Sequence, residues 1–199
     1  MPTPEEITRH HEPDPDENPW VDGPPRAKPF VIAEYDERWR ESFALLKGMI
    51  KDVLGDTALV IEHVGSTSVP GLAAKPIIDI DLTVPDSADE AAYVPALEAA
   101  GFRLAIREPS WHEHRCLKLA APDTNLHVFS PDCPETVRHR MFRDWLIAHP
   151  EDLARYREAK HAAAVETTAA AGVIVDYNRH KEPVLRDIYD RMFRAAGLL

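Results

Sequence analysis

Asp79 and Asp81 stand one residue apart inside the apolar run Ile77-Ile78-Asp79-Ile80-Asp81-Leu82, and a Gly65-Ser66 pair precedes them. Side chains of a strand alternate between two faces, so both carboxylates point one way while Ile78, Ile80 and Leu82 point into a core. Two acids side by side repel, and a fold tolerates them mainly where a cation neutralises the pair. A Gly-Ser turn on a neighbouring element supplies backbone N–H groups that hold a phosphate, with the serine hydroxyl as a further donor. Thr67 and Ser68 extend that turn, and Lys75 lies four residues before Asp79. Phosphate grip beside a Mg²⁺-ready acid pair points to phosphoryl or nucleotidyl transfer. Asp79 and Asp81 are the expected metal ligands. Gly65, Ser66, Thr67, Ser68 and Lys75 are the expected nucleotide-binding set.

Other side chains carry chemistry at lower specificity. His127 alternates with Leu126 and Val128. If its strand neighbours the acid strand, it is placed as a third metal ligand or as an acid/base. His63 and Glu62 precede the Gly-Ser turn, where a structural histidine is the plainer reading. His112 and His114 flank Glu113 in a polar loop, a spacing that suits a metal but is common by chance. Arg143 and the i, i+4 pairs Tyr156/Lys160 and Tyr177/Lys181 either pack as surface stems on rings or line the wall of a cleft.

The chain has 199 residues and a net charge of −11. That is one domain with a tail. The acidic balance argues against a non-specific grip on nucleic acid, although Lys75, Arg103, Arg107, Arg115 and Lys118 can form a local basic pocket. Two cysteines, Cys116 and Cys133, match no metal spacing and are read as reduced, partly buried thiols. No apolar run approaches a membrane span of ~18 residues, and the N-terminus does not read as a signal peptide. The expectation is a cytoplasmic protein acting on a small molecule, with no nucleic-acid or membrane partner.

Residues 1–28 hold seven acids, three bases and seven of the 18 prolines, so they are expected to be a disordered or loosely docked tail. The domain is expected over 29–199. Phe30-Val31-Ile32 reads as an edge strand or extended lead-in. Asp36 reads as an N-cap, followed by a helix face of Trp39, Phe43, Leu46 and Ile50. Strands are expected at 58–64 and 77–84, a helix capped by Ser87 at 88–100, and strands at 102–106, 115–120 and 126–130. Helices are expected near 134–148, 151–171 and 178–196. Strands first and helices last give an α+β or α/β domain; the expectation adopted is α+β, a mixed sheet packed by helices with a helical C-terminal part.

The run from His63 to Ile80, with Tyr35-Asp36-Glu37-Arg38-Trp39, Leu126-His127-Val128, Phe142-Arg143-Asp144, His149-Pro150 and the two Tyr/Lys pairs, resembles the GrpB family. That family belongs to the nucleotidyltransferase superfamily with the polymerase-beta-like fold. The resemblance implies Mg²⁺ (or Mn²⁺) on Asp79 and Asp81, nucleoside triphosphate contacts at Gly65 and Ser66, and an acid on a later strand. His127 occupies the position where that acid is expected. GrpB-like domains also occur fused to dephospho-CoA kinase domains. The leading expectation is a Mg²⁺-dependent nucleotidyltransferase passing a nucleotidyl group from a nucleoside triphosphate to a small hydroxyl or amine acceptor. A nucleotide- or metabolite-binding module without turnover is the alternative, and a hydrolase built on His112, His114 and His127 a third.

Overall fold

The computed structural model describes residues 1–12, 14–27 and 29–199; Pro13 and Lys28, both in the expected tail, lie outside the described residues. Helix α2 (Arg38–Leu54) opens the domain and is followed by strands β1 (Val60–Val64) and β2 (Ile78–Thr83). A short α3 (Val94–Ala99) then leads to β3 (Arg103–Glu108), β4 (His114–Ala120) and β5 (Asp123–Phe129). Three helices close the chain: α4 (Pro134–Ala148), α5 (Pro150–Ala169) and α6 (Ile174–Ala195). The five strands form one mixed sheet in the order β1-β2-β5-β4-β3, with β2 and β5 parallel and the remaining pairs antiparallel. The class is α+β, as read from the sequence.

The alternation that singled out the acids also builds the core. Ile78, Ile80 and Leu82 of β2 lie within 2 % of full burial and pack against Leu126 and Val128 of β5 and Leu117 of β4. The opposite side of this layer is α2, which buries Trp39, Leu46 and Ile50 at helical spacing, with Phe43 packed alongside. A separate cluster joins the C-terminal helices to the Gly-Ser turn segment through Val69, Leu72, Leu146, Tyr156 and Ile188. Both elements that carry the candidate site, β2 and the Gly-Ser turn after β1, are therefore held by packing.

Some local expectations shift. The helix expected from residue 88 starts at Val94, because Ser87 does not cap it; its hydroxyl bonds Ser130 Oγ at 3.0 Å and its carbonyl accepts from the Tyr93 hydroxyl at 2.7 Å. Residues 30–32 form no strand, and the lead-in makes a single bridge, Ala33 to Ala74. Helix α6 begins four residues earlier than expected and runs through Pro183.

The segment expected to be a disordered or loosely docked tail is laid along the domain. A short helix α1 (Pro4–Thr8), capped by Thr3 and Glu6, buries Ile7 beside Tyr189, Met192 and Phe193. Arg138 donates to the Arg9 carbonyl. Pro19 and Val21 bond the outer edge of β3 through Arg107 and Ala105. An exposed strand edge is thereby covered.

Candidate functional site

The site is built where β1 ends. Gly65 follows Val64 at φ 65 and ψ −170, a conformation open essentially to glycine, and starts a tight turn over Ser66–Ser68. Val64 is the register partner of Asp79, so the turn passes directly against that acid. A Cβ built on Gly65 would fall 2.8 Å from Asp79 Cβ. Ser66 lines the cleft that opens here, together with Gly65 and Asp79. Thr67 is buried; its hydroxyl donates to the Ile77 carbonyl at 3.0 Å and meets His63 Nε2 at 3.1 Å. Ser68 donates to the Gly65 carbonyl at 2.6 Å and lines a neighbouring depression with Arg40, Phe43 and His63. Of the expected phosphate-binding turn, Gly65 and Ser66 reach the cleft, whereas Thr67 and Ser68 brace it.

Asp79 and Asp81 share a face of β2 but meet different partners. Asp79 Oδ1 accepts from Asn125 Nδ2 at 2.8 Å, and His127 Nε2 lies 3.9 Å away. Burial pushes this carboxyl up, but His127, Asn125 and Lys75 outweigh it and hold it below the ordinary range. Asp81 is 3 % exposed, and His139 Nδ1 contacts both of its oxygens, at 2.9 and 3.2 Å. Burial alone would pull His139 down; the Asp81 charge and hydrogen bond, helped by Glu135, raise it to about 9. His139 is therefore an imidazolium paired with Asp81. Sequence reasoning missed it. The available signal was Glu135 and His139 at i, i+4 on the well-marked α4, whose charged pair turns toward the sheet.

The opposite wall comes from the C-terminal helices. Lys160 of α5, and Tyr177, Asn178 and Lys181 of α6, face Lys75 across a cleft of about 380 Å³. Lys160, Tyr177 and Lys181 thus line the cleft, whereas Tyr156 packs in the core with Leu146 and Ile188. Lys160 is 2 % exposed and donates to the Ala73 carbonyl at 2.8 Å. Burial, with Lys181 and Lys75 nearby, brings its ammonium down to about 6 against the opposing pull of Asp79. Lys75 sits 4.6 Å from the Tyr177 ring centre, and that ring stacks on Phe30 at 5.0 Å. The buried Tyr177 hydroxyl meets no hydrogen-bond partner among the described residues.

The basic pocket expected from Lys75, Arg103, Arg107, Arg115 and Lys118 does not form. Arg107 and Arg115 are bound by Glu90 at 2.7 and 2.6 Å, and Arg103 pairs with Asp22. Only Lys75 of the five lines the cleft, and its companions are Lys160 and Lys181. Arg143 instead clamps the end of β1, donating to the His63 carbonyl at 2.9 Å and to Glu62 at 3.2 Å.

Comparison with known proteins decides the family. The family model described as GrpB protein matches residues 29–191. The chain belongs to the GrpB family. A UPF0157 protein of Halalkalibacterium halodurans is 52 % identical over 140 residues, covering 70 % of this chain and 72 % of that protein. The crystal structure of the conserved protein GrpB from Enterococcus faecalis superposes with a TM-score of 0.70 at 26 % identity, over 84 % of this chain and 99 % of that one. A dephospho-CoA kinase of Mycolicibacterium paratuberculosis is 32 % identical over 190 residues, covering 82 % of this chain but 46 % of that protein. The chain spans less than half of that relative.

Within this GrpB chain the acid pair has the donor chemistry of a hard divalent cation site, two carboxylates on one strand face. Among the described residues, no three carboxylate, imidazole or thiolate groups gather closely enough to hold a metal ion. His127 stands beside Asp79, as its position opposite β2 led one to expect, but its Nδ1 is engaged by His114 Nε2 at 3.0 Å. His112 does not line the cleft, so the three-histidine arrangement of a hydrolase is not assembled. Cys116 and Cys133 are both free and buried, and burial pushes their thiols up, to about 12 and about 11.

Proposed function

We propose that this chain transfers a nucleotidyl group from a nucleoside triphosphate to the hydroxyl or amine of a small acceptor, with Mg²⁺ or Mn²⁺ carried by Asp79 and Asp81. The observation that carries the reading is the meeting of a glycine-only turn and Asp79 in one lysine-walled cleft, with Asp81 buried two residues along the same strand. Asp79 and Asp81 would hold the cation, which would neutralise charge developing on the phosphoryl oxygens. The protein's own groups do the rest. Gly65 and Ser66 present a close backbone approach and a hydroxyl to phosphate, and Lys75 and Lys181 offset its charge. Tyr177 and Asn178 offer hydrogen bonds to the ligand. His127, on the cleft wall, is placed to take the acceptor's proton. The net charge of −11 favours a small acceptor over DNA or RNA. A cytoplasmic location belongs to the same reading.

A second reading is a nucleotide- or metabolite-binding module without turnover. It is favoured by one observation, the salt bridge from His139 that already neutralises Asp81. Nucleotide binding and pyrophosphate release, measured with and without Mg²⁺ and Mn²⁺ for the wild type and Asp79→Asn/Asp81→Asn, separate the two. Metal-dependent release that the double substitution abolishes supports transfer. Release that survives the substitution sinks it, and tight binding with no release under either metal favours the module.

A further inference from the structure

The cleft lies between two layers, and the N-terminal segment is tied to both. On one side stand the sheet and its β3–β4 connection, with Asp79, Asn125 and Trp111; on the other stand Lys160, Tyr177 and Lys181 of the C-terminal helices. Residues 1–12 are fixed to the helices. Ile7 packs on Tyr189 and Phe193 of α6, Arg138 of α4 donates to the Arg9 carbonyl, and Arg138 Nη2 lies 3.3 Å from His10 Nδ1. Residues 14–22 are fixed to the sheet. The Val21 N–H donates to the Ala105 carbonyl at 3.1 Å, the Arg107 N–H donates to the Pro19 carbonyl at 2.9 Å, and Asp22 pairs with Arg103.

Where the segment passes from helices to sheet, it meets the wall of the cleft itself. The His11 ring stacks on Trp111 at 5.4 Å, and Glu17 Oε2 accepts from the Ser110 N–H at 3.0 Å. Ser110 and Trp111 belong to the connection between β3 and β4, which is costly to shape. His112 and Glu113 follow in succession with φ 56 and 51, the left-handed region that residues with a Cβ rarely enter. A backbone of this kind keeps its form only where its surroundings over-determine it. From the sheet, His114 and Phe129 meet the Trp111 ring edge-on, at 4.9 and 5.9 Å. From the N-terminal side, His11 covers the ring and Glu17 holds the backbone beside it.

We propose that the N-terminal segment is a strap that completes the candidate site, with His11 and Glu17 as positioning residues that hold Trp111 in the cleft wall facing the ligand. Its anchorage on α4 and α6 sets that wall against the helical one. The choice of ligand rests on the nucleotide reading; the positioning of Trp111 does not. A ligand held between two layers needs both walls in place, and its apparent affinity is reduced by the fraction of molecules in which they are.

Fluorine spectra of the full-length protein labelled with fluorotryptophan follow its four tryptophans. The Trp111 and Trp39 lines are identified by their loss in Trp111→Phe and Trp39→Phe, and Trp39, buried under α2, is the reference. His11→Ala combined with Glu17→Ala should shift and broaden the Trp111 line and leave the Trp39 line in place. The same double variant should weaken binding of ATP with Mg²⁺ about ten-fold in calorimetric titration, as for a wall in place about a tenth of the time. His11→Phe with Glu17→Gln keeps a flat ring and an accepting oxygen, and should restore both the line and the affinity. An unmoved Trp111 line in the double alanine variant overturns the strap. Both lines moving together assign the segment to the fold as a whole and refute the positioning role. A moved Trp111 line with unchanged affinity overturns its part in the site. A wild type that binds no ATP with Mg²⁺ removes the affinity half together with the nucleotide reading, while the Trp111 line still decides the positioning.

Discussion

Gly65→Ala is the sharpest probe of the site's construction. At φ 65 and ψ −170, Gly65 occupies a region closed to residues with a Cβ, which costs about 1–3 kcal/mol to enter. The new methyl also meets matter that cannot swing away. It would fall 2.8 Å from Asp79 Cβ and 2.9 Å from Asp79 Cγ, on a strand pinned between β1 and β5. Crowding of this kind typically costs a further ~1–3 kcal/mol. The sum, about 2–6 kcal/mol, is a large part of an ordinary domain's stability of about 5–15 kcal/mol. Gly71→Ala supplies the control, since Gly71 has φ 76 but nothing within 4 Å of a built Cβ. Urea unfolding should therefore show a small loss for Gly71→Ala and a much larger one for Gly65→Ala. Nucleotide affinity should fall with Gly65→Ala at protein concentrations and temperatures where it remains folded. If the two glycines lose equal stability, the close approach of turn to acid is not what fixes Gly65, and the phosphate cradle argued from it fails.

Other expectations follow from single groups. Tyr177→Phe removes a buried hydroxyl that meets no partner among the described residues; it should leave the unfolding free energy unchanged or higher while weakening nucleotide binding several-fold in calorimetric titration, and a loss of stability would show that the hydroxyl is already satisfied. Lys160 titrates near 6 when folded, below the ordinary lysine value of about 10.4, so only the unfolded chain takes up its proton between those values and stability falls as pH drops through that window. Lys160→Met should thus raise the melting temperature at pH 7, flatten the rise in stability toward pH 10 and weaken ligand binding; an unchanged melting temperature contradicts the buried-lysine argument. His63, stacked on Phe43 at 4.7 Å, is depressed by burial to about 4. Below about 6.5 the unfolded chain binds a proton that the folded one refuses, so stability present at neutral pH is lost as pH falls toward 4, at up to about 1.4 kcal/mol per unit. His63→Gln should lessen that acid slope in pH-resolved urea melts, and an identical slope would dismiss the residue as its source. Removing residues 1–28 should leave 29–199 folded but less stable by about 1–3 kcal/mol, because Ile7 leaves its contact with Tyr189 and Phe193; an unfolded product by circular dichroism would make the segment part of the domain.

What the sequence could say about the site follows from the range over which each signal acts. Strand alternation is local, and it correctly paired Asp79 with Asp81 on one face and their neighbours in the core. Helix periodicity is equally local, and the bounds of α4 at 134–148 are those expected. The tail's composition leaves disorder and loose docking both open because it lacks apolar periodicity; in the structure one buried isoleucine, a capping box and a strand edge hold it to the domain. In the sequence His114 reads as a loop residue because the strand pattern starts at Arg115; it is the first residue of β4, and that single step gives it Glu108 as a register partner. His139 escaped for a different reason. An acid pair in an apolar strand requires positive charge opposite it, but spacing rules do not say which distant element delivers it. Here the charge reaches Asp81 from a helix 58 residues downstream and reaches the Asp79 cleft from loop and helix through Lys75 and Lys181. The acids were legible because strand geometry places them; their partners became legible only once the C-terminal helices were folded back across the sheet.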